Sequence, residues 1–312
     1  MRQMANMPVQ PLALGSDVAR SYKQLVTRKF ARVLISVLGL NRGSYIATEI
    51  VQAIDPVIKI STRYGTFKCR CDHGRLRWRA LTFHTEEPET VSWLDGFGES
   101  DVFWDIGANV GLYSIYAAKF RKCTVVAFEP ESQNYALLIR NITINDLDTR
   151  RIRASCTAIT DREGFGDLQV RYLTLGGAYN LFHNAGGSRE DLPESFEAAG
   201  GTPDSGFRQV NFGTSIDDLV INHGFPSPTH IKIDVDGNEP KIIDGCLKTL
   251  KSPTLKSLLI EINRKSARDV AIGDTLAEHG FRVTSDYSVW DSKPERSRAD
   301  DVPAFNVIFR RD

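Results

Sequence analysis

The chain has 312 residues, 41% of them hydrophobic and 25% charged, enough to bury the core of one large domain and a smaller appendage. Lys+Arg and Asp+Glu both total 39, so no net field recruits nucleic acid or an acidic substrate. Five cysteines, an odd number spread along the chain, do not make a disulfide framework and predict a reducing, cytoplasmic setting.

Residues 1–15 carry Pro8 and Pro11 and have neither the basic leader nor the apolar stretch of an export signal. From a cap at Ser16 or Asp17, Val18, Tyr22, Leu25, Val26, Phe30, Val33, Leu34 and Val37 recur at helical spacing and predict a helix ending near Gly39. Its other face bears Arg20, Lys23, Arg28 and Arg32, a basic surface that is either solvated or suited to an anionic membrane or a partner. The apolar run Val33 to Leu40 is broken by Ser36 and Gly39 and falls far short of the roughly 20 residues a membrane span needs. A second helix is expected over 44–53. The segments 57–62 and 66–71 then alternate apolar and polar residues around Tyr64-Gly65, which predicts a β-hairpin and makes residues 1–79 an N-terminal helical and hairpin extension. Cys69 and Cys71 share a strand face there. With only His73 nearby they read as small strand residues ahead of a zinc site. Glu87-Pro88-Glu89-Thr90 opens a short helix, 90–97, with Pro88 near its first turn and acids at the positive end of its dipole; Thr85 and Glu87 either cap it or border a cofactor.

The stretch from Asp101 to Ser114 organises the rest. Val102 to Trp104 is an apolar strand that ends in Asp105, a turn with Gly107 and Gly111 follows, and from Leu112 the apolar spacing becomes helical. The crevice at the carboxyl end of such a strand is a ligand site, and glycine lets a ligand come close to the backbone. A dinucleotide fingerprint needs a third glycine, which is missing here. Asp105 at the strand end repels a pyrophosphate but suits the ammonium or sulfonium of S-adenosylmethionine. A second short strand, Val125 to Phe128, ends in Glu129-Pro130, where nucleotide folds place the carboxylate that grips the ribose hydroxyls.

Further along, 134–145 reads as a helix and 153–161 as a third strand, whose end, Ala158 to Asp161, is expected beside an adenine; Asp161 also reads as a plain turn residue. Residues 175–207, with Gly176-Gly177, Gly186-Gly187 and Gly200-Gly201, have little periodicity and read as a mobile insertion able to reach over the strand ends. Ser215 caps a helix, with Asp218 three residues on. In the strand 230–236, Lys232, Asp234 and Asp236 share one face, an odd composition for a strand buried on both sides. Buried charge must be paired, so Lys232 bridges Asp234 or Glu261 of the next strand, 258–263. A helix over 240–250 lies between them. The tail supplies a helix before Gly280, a strand at 281–284 and a last strand at 305–309, an antiparallel end to a mostly parallel sheet.

Asp105-Ile106-Gly107-Ala108-Asn109-Val110-Gly111, Phe128-Glu129-Pro130 and Asp234-Val235-Asp236-Gly237-Asn238-Glu239 occur in this order, and over residues 80–312 the chain resembles the FkbM family of S-adenosylmethionine-dependent methyltransferases. The resemblance implies an α/β fold of the Rossmann-like class I methyltransferase type, with a mostly parallel seven-stranded sheet and an antiparallel C-terminal strand. It implies a cofactor site at Asp105, Gly107, Ala108, Asn109, Gly111, Glu129, Pro130, Ala158 and Asp161, and O-methylation of a hydroxyl on a sugar, glycan or natural product. A hydroxyl needs a base or a metal to lose its proton. Asp234, with Lys232 and Glu261 beside it, is the candidate base, and Asp234, Asp236 and Glu239 are hard oxygen ligands suited to Mg2+; a structural ion-pair network around Lys232 is the alternative role. No Asn/Asp-Pro-Pro-Tyr segment marks this strand end, which argues against methylation of a base amino group. An NAD(P)-dependent oxidoreductase and a non-catalytic cofactor-binding protein share the sheet. The first wants a third glycine and the second has no use for the acidic cluster. A homo-oligomer stays open.

Overall fold

The structure, a computed structural model, describes residues 56–184, 206–284 and 304–311 together with scattered positions between 29 and 49. The chain divides into two units, Met1–Asp55 and Pro56–Asp312. In the first, Lys29, Arg32, Val33 and Ser36 are helical, as are Gly43, Tyr45, Ile46, Thr48 and Glu49; the rest of the two helices expected there, with most of the basic face, lies outside the described residues. Among the described residues no helix is long and apolar enough to cross a membrane.

The second unit begins with the hairpin β1 (Val57–Thr62) and β2 (Gly65–Arg70). Helices α1 (Gly74–Thr82) and α2 (Pro88–Asp95) lead to β3 (Val102–Ile106), α3 (Leu112–Tyr116), a π-helical turn at Ala117–Arg121, and β4 (Thr124–Phe128). Next come α4 (Ser132–Ile144), β5 (Ile152–Ser155), β6 (Ala158–Ile159), β7 (Gly164–Val170), β8 (Leu181–Asn184) and β9 (Phe207–Thr214). The chain closes with α5 (Ile216–Ile221), β10 (His230–Ile233), α6 (Glu239–Asp244), β11 (Ser257–Asn263), α7 (Ala267–Glu278), β12 (Arg282–Val283) and β13 (Ala304–Arg310).

Seven strands form one sheet in the order β12-β13-β11-β10-β3-β4-β5. β11, β10, β3, β4 and β5 run parallel, and β13 returns antiparallel between β11 and β12. This is the α/β arrangement that the resemblance implied. Successive residues of a strand point to opposite faces, so the central strands feed two cores. Phe103, Val125 and Leu259 join one with α1 to α4 and the hairpin; Trp104, Val126, Ile231 and Ile260 join the other with α5, α6 and α7. Lys232, flanked by Ile231 and Ile233, therefore falls on the first face as the one charged residue of β10 that is fully enclosed.

Several expectations change. The hairpin is not part of a separate extension: Lys68 and Arg70 donate their backbone N–H groups to Asn145 Oδ1 (2.7 Å) and Asn141 Oδ1 (2.8 Å) of the α4 end, and Phe67 is fully buried. The edge of β2 is thus paired with side chains instead of a strand. The expected third strand breaks after Ser155, because β6 leaves the large sheet to pair with β9 in a four-stranded sheet, β6-β9-β7-β8. That sheet and helix α1 were not anticipated. β10 ends at Ile233, three residues early, where Asp236 (φ 61°) and Gly237 (φ 122°) turn the chain. Of the insertion 175–207, residues 175–184 are not loose: Asn134 brackets them, its Oδ1 accepting from Gly176 N at 2.8 Å and its Nδ2 donating to Gly177 O at 3.1 Å. Residues 185–205 lie outside the described part.

Candidate active site

The turn after β3 is built on backbone bonds from Gly107 N (3.0 Å) and Ala108 N (2.9 Å) to Phe128 O, which lock the end of β3 to the end of β4. Gly107 has φ 83°, and a Cβ there would lie 1.8 Å from the carbonyl oxygen of Asp234, so the ends of β3 and β10 are in backbone contact. Asn109, also left-handed at φ 51°, donates its N–H to Glu129 Oε2 at 2.8 Å, and its side-chain Nδ2 reaches Gly177 O at 2.8 Å. Glu129 Oε1 accepts from Glu131 N at 3.0 Å. Burial pushes the Glu129 carboxyl up to about 8, with the two backbone donors pulling the other way.

One cleft is lined by residues 107–113, Glu129, Pro130, Asn134, Gly177, Asn180, Lys232, Asp234 and Asp236, with Trp78, Arg79, Glu86 and Glu87 contributed by α1 and the segment after it. A hollow next to it, sharing Gly107, Pro130, Asn180 and Val235, has an apolar lining of Ile106, Phe128, Ala158, Ile159, Leu168 and Phe182. The small sheet holds this side in place, since Gln209 Nε2 and Asn211 Nδ2 of β9 both donate to Pro130 O, at 2.7 and 2.9 Å.

S-adenosylmethionine fits these residues. Each oxygen of Glu129 takes one backbone N–H, and the carboxyl keeps acceptor capacity for a ribose hydroxyl. The hollow at Ala158 offers the apolar faces an adenine packs against, and the backbone of residues 107–111 lines the cleft, with the space beside Gly107 taken by the Asp234 carbonyl oxygen. Gly111 serves packing instead: a Cβ would strike Leu138 Cδ1 at 2.2 Å.

Two expected cofactor residues are placed elsewhere. Asp161 bonds Thr160, Asn184 and Arg162 beside a different surface hollow. It is a turn residue, carried off when β6 leaves the large sheet. Asp105 lies beneath the turn and not on the cleft wall: Oδ2 accepts from Ser114 Oγ at 2.5 Å, Oδ1 is buried without a hydrogen-bond partner, and the residue is 1% exposed. Burial pushes its carboxyl up and Lys232 opposes this.

Lys232 chooses Asp234. Its Nζ is 2.5 Å from Asp234 Oδ2, with the lysine side chain 2% and the aspartate side chain 27% exposed, and it sits 5.6 Å from the Tyr113 ring centre. Burial works against the ammonium, yet Asp234, then Glu87 and Asp105, outweigh it and hold the group above its ordinary value. Glu261 does not take part in this pair and does not line the cleft. Burial, then Asp234, Asp236 and Glu239, push its carboxyl well above the usual carboxylate range, with Lys232 opposing.

The expected Mg2+ ligands do not converge. Asp236 Oδ2 accepts from Tyr179 N at 2.5 Å, Glu239 Oε1 from Val235 N at 3.0 Å, and Asp234 is held by Lys232. Among the described residues no three His, Cys, Asp or Glu side chains stand together as a metal requires. Backbone donors take up the carboxylates because β10 stops early and its following residues turn. Cys69 and Cys71 are free thiols, the first fully buried.

A family profile described as the methyltransferase FkbM domain matches residues 105–283. The chain belongs to the FkbM methyltransferase family. It is an S-adenosylmethionine-dependent methyltransferase, which sets aside the nicotinamide and non-catalytic readings. It is 25% identical over 205 residues to 31-O-demethyl-FK506 methyltransferase FkbM of Streptomyces tacrolimicus, covering 60% of this chain and 74% of that protein. Hexuronic acid methyltransferase AglP of Haloferax volcanii is 26% identical over 187 residues, covering 60% of this chain and 66% of that one. A solved FkbM methyltransferase from Methylobacillus flagellatus superposes with a TM-score of 0.42 at 15% identity over 88% of this chain, which spans 60% of that structure's length. The cleft walls from α1 precede the span that defines the FkbM family, and no motif signalled them: Trp78 and Arg79 carry the mark of an ordinary helix surface, and Gly176-Gly177 that of a loose loop.

Proposed function

We propose that this FkbM family member transfers the methyl group of S-adenosylmethionine to a hydroxyl of a sugar or natural product, and that Asp234 takes the hydroxyl proton. The observation that carries this reading is the Lys232–Asp234 pair, enclosed on the lysine side and open to the cleft on the aspartate side, in backbone contact with Gly107. The two named relatives act on an FK506 derivative and a hexuronic acid, one a natural product and one a sugar, which supports the acceptor class. Bound S-adenosylmethionine supplies an activated methyl on a sulfonium. The protein supplies position and a proton acceptor. Glu129 anchors the ribose, and the turn 107–111, held against Asp234 at the ends of β3 and β10, lines the cleft where the methionine end would lie. Lys232 fixes Oδ2 of Asp234 and so aims the carboxylate. A neutral hydroxyl becomes a strong acid as it receives a methyl, so even a carboxylate held by an ammonium is basic enough to remove the proton.

Asp234→Asn keeps the size and most of the hydrogen bonding of the side chain. It is expected to lower kcat by about 10² to 10⁴-fold, with the affinity for S-adenosylmethionine, read by calorimetry, nearly intact and the rate indifferent to EDTA. A variant that turns over at the wild-type rate but melts earlier would show that Asp234 only holds Lys232.

A further inference from the structure

The cleft has a wall that the cofactor does not account for. Trp78 lies on the outward side of α1, opposite Leu76 and Ala80, which are buried, and it is 47% exposed, yet it lines the same cleft as Gly107 and Asp234. A single exposed aromatic on a helix surface is unremarkable. This one is held at a cleft by its neighbours. Arg79 Nε donates to Gly176 O at 3.2 Å, and a Cβ on Gly176 would come within 2.7 Å of Leu76 Cδ2, so α1 is seated directly on the segment that Asn134 and Asn109 tie down. The indole is therefore presented from a fixed backbone, which lowers the entropy cost of stacking a ligand on it.

The charge of the cleft narrows the ligand. Lys232 and Asp234 cancel within their own ion pair, and Glu86, Glu87 and Asp236 outweigh the remaining Arg79. Such a wall draws the sulfonium and repels an anionic acceptor, while carboxylates accept readily from hydroxyls. An aromatic face takes up the C–H face of a saturated ring and desolvates it.

We propose that Trp78 is the stacking platform of the acceptor and that the acceptor presents a neutral, hydroxylated saturated ring, a neutral pyranose, to it. The inference rests on the reading of the cleft as a hydroxyl methylation site and assigns its specificity to a helix outside the region that defines the family. Trp78 positions the acceptor and takes no part in proton removal.

The test uses the full-length protein and a panel of methyl glycosides of neutral hexoses and deoxyhexoses, with methyl glucuronide as the anionic control. Labelled S-adenosylmethionine reports transfer. At least one neutral glycoside is expected to be methylated in preference to the glucuronide. Trp78→Ala is expected to raise its KM about tenfold with kcat nearly unchanged, Trp78→Phe to recover part of the loss, and affinity for S-adenosylhomocysteine to stay within about twofold in both. Emission gives a second readout. Trp93 and Trp104 are 2% and 0% exposed, so in a Trp290→Phe background the same glycoside should shift the fluorescence through Trp78. An unchanged KM in Trp78→Ala, or a parallel loss of S-adenosylhomocysteine affinity, overturns the platform while the methylation reading stands. Preference for the glucuronide overturns the neutral ring. Transfer to no glycoside of the panel overturns the sugar reading and this proposal with it.

Discussion

Lys232 and Asp105 occupy paired positions on the adjacent parallel strands β10 and β3, and at 2% and 1% exposure both are sealed from water. One ammonium thus serves two carboxylates: Asp234, which it touches at 2.5 Å, and Asp105, whose second oxygen has no hydrogen-bond partner and whose charge Lys232 favours.

Removing that ammonium should be costly in a characteristic way. Lys232→Met keeps the volume but leaves two carboxylates without a counter-charge, and breaking a buried pair in this manner costs about 3 to 5 kcal/mol. Urea denaturation should show a loss of that size, and adding Asp105→Asn should recover part of it. Equal stability of the single and double variants would mean that Asp105 is already neutral in the wild type.

Stability should depend on pH through two groups of opposite sign. Burial raises folded Glu129 from 4.5 to about 8, so its contribution is fully present below 4.5 and is lost as pH rises through 8. His230, stacked on Phe97 with a 3.9 Å ring separation and bonded to Ser257 Oγ at 2.7 Å, is lowered by burial from 6.5 to about 4. Its contribution is present above 6.5 and is lost as pH falls through 4. Glu129→Gln should therefore make stability rise more steeply, or fall less, from pH 5 to 8, and His230→Gln should do the reverse. Melting temperatures across that range check both changes of slope; changes of the same sign, relative to wild type, in the two variants would refute the assignment. Above pH 8, where the Glu129 carboxylate carries its charge, Glu129→Ala should in addition weaken S-adenosylmethionine binding by about 2 to 4 kcal/mol, one or two charge-assisted hydrogen bonds.

The glycines of the turn should differ in kind. From the motif alone, Gly107→Val is expected to block the cofactor and leave a folded protein. The structure changes that expectation: at φ 83° the added Cβ meets the Asp234 backbone at 1.8 Å, so even Gly107→Ala should lower the melting temperature and disturb the β3–β10 junction. Gly111→Ala meets only the end of a leucine side chain, at 2.2 Å, and should be milder. A Gly107→Ala protein with wild-type stability would show that β10 can yield.

The turn at Gly107 and Gly111, the acid at the end of β4, the Ser215 cap and the alternation of the hairpin were all legible along the chain. Each depends on a backbone or hydrogen-bonding need met within a few residues: Ser215 Oγ, for instance, accepts from Asp218 N at 3.0 Å. The alternation in Phe207–Thr214, with Asn211 and Gly213 buried between exposed Val210 and Phe212, is of the same kind, but its glycine-rich approach disguised it. What only the tertiary structure decided are the choices among distant partners. Lys232 could face Asp234 or Glu261 with equal spacing, and the matter was settled by the early end of β10 and the register that sets Lys232 opposite Asp105 and Leu259. Asp161 moved away because β6 found its pairing with β9, some fifty residues on. Trp78 became a cleft residue because α1 seats on Gly176, a contact between segments whose sequences carry no sign of each other. Local chemistry follows from neighbours in the chain; burial, charge pairing and cleft walls follow from neighbours in space, which strand register and packing assign.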